Sequence, residues 1–224
     1  MEHADRPEPL IERLKDGFDR IAFVLRSDLW SASSRVGLNP TQAQVLALLV
    51  DRPAGLRAKD ISAHLSISAA SVSDTLSALI KKNHIKKLAD PGDARASIVK
   101  VTPGGLKAGR ALARSSSHVE RAIAKLAPTM QEDLLLTQIS LIRQLQHDGA
   151  IPQQRMCPTC RYFRPQAHAG QGQPHHCAFV DAPIGNRTLR LDCGEHEQAE
   201  PADQAATWSV FTTGSATLQA GQKG

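Results

Sequence analysis

Apolar residues recur over residues 10–36 at Leu14, Phe18, Ile21, Leu25 and Leu29, at intervals of four, three, four and four. That spacing places them on one stripe of a long helix, which Gly37 ends. Asn39-Pro40 then opens a second helix, with Asn as N-cap and Pro at the first helical position, where its missing N–H costs nothing. Residues 41–50 are apolar nearly all round, through Val45, Leu46, Leu48, Leu49 and Val50, so that helix is expected inside. After the turn at 51–55, residues 58–65 form a short helix with Ile61 and Leu65 turned inward. Residues 66–68 are a turn, and Ser68 caps a further helix over 68–82. Its core stripe is Val72, Leu76, Leu79 and Ile80. The opposite face carries Ala70, Ser71, Asp74, Ser77 and Lys81, and Ser68 and Ser73 join these as candidate contact residues.

The alternation changes after Asn83, a residue suited to the left-handed stop of a helix. Residues 85–88 and 97–101 alternate as two strands, joined through Asp90-Pro-Gly-Asp-Ala-Arg95. Thr102-Pro103 caps the next helix, and residues 103–147 read as two helices broken at Ala127-Pro128. The second carries Leu135, Ile139, Ile142 and Leu145 on one stripe. The order helix, turn, helix, hairpin over 58–102 is that of a winged helix-turn-helix, which lays one helix in a DNA groove and a loop beside it.

Composition alters this picture in two places. Aromatic residues are only 4% of the 224, so the core is built of Leu, Ala and Ile, as in helical folds. The net charge of +5 is uneven: residues 52–110 hold 11 basic and 4 acidic side chains, +7, while 1–51 hold −2, 111–156 hold +1 and 157–224 hold −1. A basic block confined to the winged segment is the footprint of a polyanion partner. No apolar run reaches the roughly 18 residues of a membrane span, and the first residues lack the order of a signal peptide. A cytoplasmic protein without membrane contact is expected.

The run from Ile85 to Gly105, with Asp93, Arg95 and Thr102-Pro103-Gly104-Gly105, resembles the wing of the multiple-antibiotic-resistance regulator (MarR) family. The resemblance covers roughly residues 10–147. It implies that Arg95 enters the minor groove, that Asp93 holds the Arg95 guanidinium, and that the N-terminal helix and the two helices of residues 103–147 form a homodimer interface. Ala94 departs from the basic residue usual there, and Asn83 stands where Gly is common. The implied partner is double-stranded DNA carrying a pseudo-palindrome, with half-sites about 10–10.5 bp apart. A small-molecule effector fits such a regulator, and its identity is not written in the sequence.

All four cysteines follow a polar linker over 148–156. Cys157, Cys160, Cys177 and Cys193 are spaced C-x2-C-x16-C-x15-C. A disulfide framework suits the cytoplasm poorly, whereas four thiolates complete a zinc shell or an iron–sulfur cluster. Only Cys157-Pro-Thr-Cys160 is a tight knuckle. Cys193-Gly-Glu-His196 offers a second, mixed one, with His196 as the alternative ligand and Cys177 left free. His168, His175 and His176 lie in the same segment. One close pair followed by two distant cysteines resembles the ligand spacing of high-potential iron–sulfur proteins, and Tyr162, Phe163 and Phe179 are placed to shield a cluster. The reading prefers a cluster, with zinc as the alternative.

The expected architecture is therefore mostly α with a small β-wing. Residues 1–147 hold the winged helix-turn-helix and a helical dimerisation region, and 157–197 a small Cys-rich metal-binding domain. Residues 198–224 read as a disordered tail rich in Gln, Ala, Thr and Gly, in which Trp208 could dock back. The expected function is a DNA-binding transcriptional regulator responsive to redox or metal state. The rivals are an interaction module whose Cys-rich domain recruits a partner, and a metal-dependent enzyme. Against an enzyme, four cysteines leave a metal no open position, and no phosphate loop, nucleophile elbow or HExxH occurs.

Overall fold

The computed structural model describes residues 9–115 and 117–214. The chain divides into two compact units, residues 1–125 and 126–224. No helix among the described residues is long and apolar enough to cross a membrane.

The first unit begins with α1, Pro9–Arg35, and α2, Pro40–Val50. Asn39 caps α2 as expected. Its side chain accepts the Gln42 N–H at 2.8 Å, and the Gln42 side chain reaches back to the Asn39 N–H. Val45, Leu46 and Leu49 on α2 have no exposed surface, which places this helix at the centre of the unit. Around it pack α3, Ala58–Leu65, and α4, Ala69–Lys81, through Ile61, Val72, Leu76 and Leu79. Each such side chain, once buried, stabilises by about 1.5–3 kcal/mol. The α4 stripe differs from the expected one by one place. Thr75 is buried, and Ile80 stays 43% exposed. Residues 72, 75, 76 and 79 fall on adjoining rows of a helix, and 80 is rotated off them toward solvent.

The strands β1, Ile85–Asp90, and β2, Asp93–Val101, pair antiparallel, and Leu56 bridges Val99 as a short third edge. The hairpin is longer than the alternation suggested, leaving only Pro91 and Gly92 at its tip. Then come α5, Pro103–Ala113, and α6, His118–Ile123. The helix expected over 103–127 is thus two, because Ser117 starts a new one with a capping box to Glu120.

A polar tie secures α6 to α1. Asp28 of α1 accepts from the Ser117 hydroxyl at 2.8 Å, the His118 N–H at 2.7 Å and the His118 Nδ1–H at 2.6 Å. These bonds, the His118 ring first, hold the Asp28 carboxyl at about 2, down from 3.8. A depressed carboxylate favours the fold above its unfolded value, and that contribution is lost as pH falls from about 4 through about 2. Wild type is therefore expected to lose urea resistance over this window more steeply than Asp28→Asn. Identical pH profiles for the two would dismiss the tie.

The second unit begins with α7, Pro128–His147. A 3-10 turn, Cys157–Thr159, leads into a three-stranded antiparallel sheet of β3, Phe163–Arg164, β4, His175–Cys177, and β5, Ala182–Ile184. The unit closes with α8, Pro201–Thr213. Its core joins Leu136 and Ile139 of α7 to Phe163, Leu189 and Phe211.

Three expectations change here. Residues 201–213, read as part of a disordered tail, form a helix whose Phe211 has no exposed surface, and the rest of that tail, from 215, lies outside the described residues. The α7 face expected to serve a dimer is in part occupied by the core of its own unit. The linker ends earlier than residue 156, because Met156 is fully buried and the Arg155 carbonyl accepts the Cys193 N–H at 2.9 Å.

Candidate nucleic-acid interface and four-cysteine cavity

In the first unit, α4 is set by a turn that reverses direction at Ser66, whose φ is +51°. Ser68 caps it, its hydroxyl accepting the Ser71 N–H at 3.1 Å. The buried stripe faces α2, which leaves Ser68, Ala70, Ser71, Ser73, Asp74, Ser77 and Lys81 all exposed on the far side. Three hydroxyls are engaged locally: Ser68 with Ser71 at 2.9 Å, and Ser77 donating to the Ser73 carbonyl at 2.9 Å. The face is thus flat and low, and a polyanion backbone can approach it closely. Asn83 ends α4 in the left-handed region, at φ +56°.

The wing is braced beside its tip. Asp90 accepts the Gly92 N–H at 2.8 Å, which folds the tip back on itself. Arg57, just before α3, donates to Asp90 at 2.6 Å and lies 3.8 Å from Asp93. Asp90 is pulled below the usual carboxylate range, first by the Gly92 N–H and then by Arg57. Register slips between Ala89 and Asp90: Ala89 faces Ser97 while Asp90 faces Asp93. Residues 94–96 therefore form a bulge, and Arg95 stands exposed within it.

The Asp93 carboxylate accepts the Arg95 backbone N–H at 3.0 Å and lies 3.8 Å from the Arg57 guanidinium, so it shapes the bulge that carries Arg95. Arg57 was missed because its partners lie 33 and 36 residues away in sequence, and no local pattern marks such a pair.

In the second unit, Cys157, Cys160, Cys177 and Cys193 all line one cavity of about 220 Å³. They arrive from three places. Cys157 and Cys160 bracket the 3-10 turn, Cys177 ends β4 between Phe163 and Ala182, and Cys193 is fixed through its N–H to Arg155. Tyr162, Phe163, Phe179, Val180 and Ile184 supply the apolar wall, with Tyr162 and Phe179 edge-on at 5.5 Å. The Arg190 N–H donates to the Cys157 sulfur at 3.2 Å, and burial pushes the Cys157 thiol up to about 11 despite that bond. Among the described residues, no three His, Cys, Asp or Glu side chains converge closely enough to hold a single ion.

The mixed knuckle is not what the fold builds. His196 lies off the cavity wall, its Nε2 3.0 Å from the Thr159 hydroxyl, while Cys177 lies on it. The other histidines also have partners. His175 Nδ1 accepts the Gln166 N–H at 3.2 Å, so its Nε2–H donates to Asn186 at 2.8 Å. His168 and His176 stand 3.3 Å apart, and His176 lies 3.2 Å from Asp181.

Residues 36–96 match the model of the MarR family. That match spans α2 to the wing. Three solved structures have the same fold. A MarR family transcription regulator, SP03579, is 17% identical with a TM-score of 0.54, covering 63% of this chain and 93% of its own. CouR from Rhodococcus jostii RHA1, bound to p-coumaroyl-CoA, is 17% identical with a TM-score of 0.52, covering 66% and 98%. MepR of S. aureus in its DNA complex is 20% identical with a TM-score of 0.51, covering 58% and 97%. Each is covered almost whole, yet accounts for only about three-fifths of this chain. No curated relative matches it.

Proposed function

We propose that this chain is a transcriptional regulator that binds double-stranded DNA sequence-specifically as a homodimer. The observation that carries the reading is the open face of α4 together with Arg95 in the wing bulge, both within the segment of +7 charge. Small residues on α4 admit the backbone to the major groove, and Ser71, Ser73 and Ser77 are in reach of phosphate or base edges. Asp74 can accept from a cytosine amino group, and Lys81 can meet a phosphate. Few of these side chains make bidentate contacts, so Arg95 in a narrow minor groove carries much of the specificity through DNA shape. The DNA bound to MepR on the same fold supports this reading.

The dimer rests on α1, where Leu10, Leu14, Phe18, Ile21 and Leu25 are each about half exposed in the single chain. A long helix with such a stripe is covered by a second copy, and two wings then read a pseudo-palindrome. The p-coumaroyl-CoA on CouR supports a small-molecule effector. The four-cysteine site supplies a further input, a soft-metal cofactor, iron–sulfur or zinc, that makes DNA binding follow metal or redox state.

Footprinting on the protein's own promoter region tests the reading. A protected pseudo-palindrome is expected, with Arg95→Ala weakening it by about 1–3 kcal/mol. A dimer neutralising about six phosphates loses about 10³ in affinity between roughly 50 and 200 mM salt. Absence of sequence-selective binding, or an unchanged affinity on losing Arg95, overturns it.

A further inference from the structure

We propose that Cys157, Cys160, Cys177 and Cys193 together bind a cubane iron–sulfur cluster, [4Fe–4S], and that this cluster seats α7. The proposal deepens the reading above by naming the cofactor, and it rests on that reading only for what the cofactor regulates. The site itself stands on geometry.

Four thiolates around one zinc, at about 2.3 Å each, draw together to about 3.8 Å of one another and leave no room among them. Here the four cysteines line a cavity of about 220 Å³, many times the space of one water, and no three of them close on a single point. A cubane carries its own body of iron and sulfide between the cysteines, so its ligands stand apart around a cavity of this kind. Binding forms four iron–thiolate bonds, and each thiol gives its proton to solvent.

The lining fits that occupant in two further respects. Beyond the cysteines five of the eight lining residues, Tyr162, Phe163, Phe179, Val180 and Ile184, are aromatic or aliphatic, with Thr188, Arg190 and Glu195 completing the wall, and such an apolar share limits the access of water to a cluster. The Arg190 N–H already points at the Cys157 sulfur, the kind of bond that stabilises a metal thiolate. A chelating histidine is not offered, since His196 faces Thr159.

The cavity also shares its walls with the core that holds α7. Cys157, Cys160, Phe163 and Ile184 belong both to the cavity and to the cluster of side chains around Leu136, Ile139 and Phe211. Polar ties reinforce the seat. The Asn186 amide donates to Glu132 at 2.9 Å, Arg187 donates to the Pro128 carbonyl at 2.9 Å, and the Arg143 guanidinium lies 4.6 Å over the Trp208 ring. Filling the cavity therefore rigidifies the far side of the surface on which α7 rests.

Anaerobic purification of the full chain, followed by absorption spectroscopy and iron, sulfide and zinc analysis, tests the site. A brown protein with about four irons and four sulfides per chain is expected. Cys177→Ser is expected to lose most of that content and His196→Ala to retain it. Hydrogen exchange over residues 128–147 is expected to slow at least tenfold in the loaded protein relative to the iron-free form. A colourless protein with one zinc per chain overturns the proposal, as does cluster content that survives Cys177→Ser but not His196→Ala. Unchanged exchange in α7 overturns its second half. Footprinting the same preparations separates the two readings. DNA binding by iron-free protein that never holds a cluster refutes the cluster alone, and a fully loaded protein that ignores DNA refutes the regulator alone.

Discussion

Truncating Phe211 to alanine is expected to lower the stability of the C-terminal unit by about 3–5 kcal/mol, the cost of an emptied aromatic site. Phe211 has no exposed surface and is the largest fully buried side chain among the described residues. Its ring meets Phe163 at 5.7 Å, His175 at 5.4 Å and Trp208 at 5.7 Å. It is therefore the anchor by which α8 attaches to the core. The experiment is a urea titration followed by tryptophan fluorescence in a Trp30→Phe background, so that only Trp208 reports. A lower midpoint and a red-shifted native spectrum are expected. A variant with the wild-type midpoint and spectrum would mean that residues 201–213 are not docked.

Replacing Gly105 by alanine is expected to destabilise the winged unit by about 3 kcal/mol, the upper end of overpacking costs. A Cβ at Gly105 would lie 1.9 Å from the His84 carbonyl oxygen and 2.8 Å from a Val101 methyl. The carbonyl belongs to the backbone joining α4 to β1, so no rotamer change relieves the clash. This glycine lets α5 start flush against the root of the wing. Gly17 supplies the control. It lies in α1, where an added methyl would meet nothing within 4 Å, and Gly17→Ala should raise helix stability by about 0.5–1 kcal/mol. Equal effects of the two substitutions would remove the steric argument. The Gly105 variant should also bind DNA more weakly, because the wing it supports carries Arg95.

Several features were legible because their causes are local. Asn39, Ser68 and Thr102 cap the helices that follow them, each with its side chain on a backbone N–H three residues on. Asn83 takes the positive φ that ends α4. The exposed face of α4 follows from helical period alone, and every residue assigned to it lies on the surface. The misplacement of Ile80 shows the limit of the period. Thr75 and Ile80 are both near the edge of the stripe, and the neighbouring α2 decides which of them is covered.

The less legible features depend on partners far along the chain. The family resemblance implied that Asp93 holds the Arg95 guanidinium, and nothing in it pointed to Arg57. The fold brings Arg57 to Asp90 and Asp93. Cys193-Gly-Glu-His196 looks like a knuckle in sequence, but the Thr159 hydroxyl takes the His196 ring and Cys177 comes to the cavity from β4. Residues 201–213 lack an amphipathic stripe strong enough to announce a helix. They form one because Trp208 and Phe211 find an apolar surface made by α7 and β3.

The sequence by itself determined the winged order of helices and strands, the basic charge on that segment, the caps and the presence of four cysteines in 37 residues. These depend on period, on side chains bonding to their own backbone, and on composition. Tertiary structure decided that the four cysteines surround one cavity, that α7 belongs to the core beside them, and that Arg57 braces the wing. Contacts between residues tens of positions apart are set by how the elements pack. No local pattern carries that information, because the same hydrophobic stripe can be buried by any apolar surface the fold brings to it.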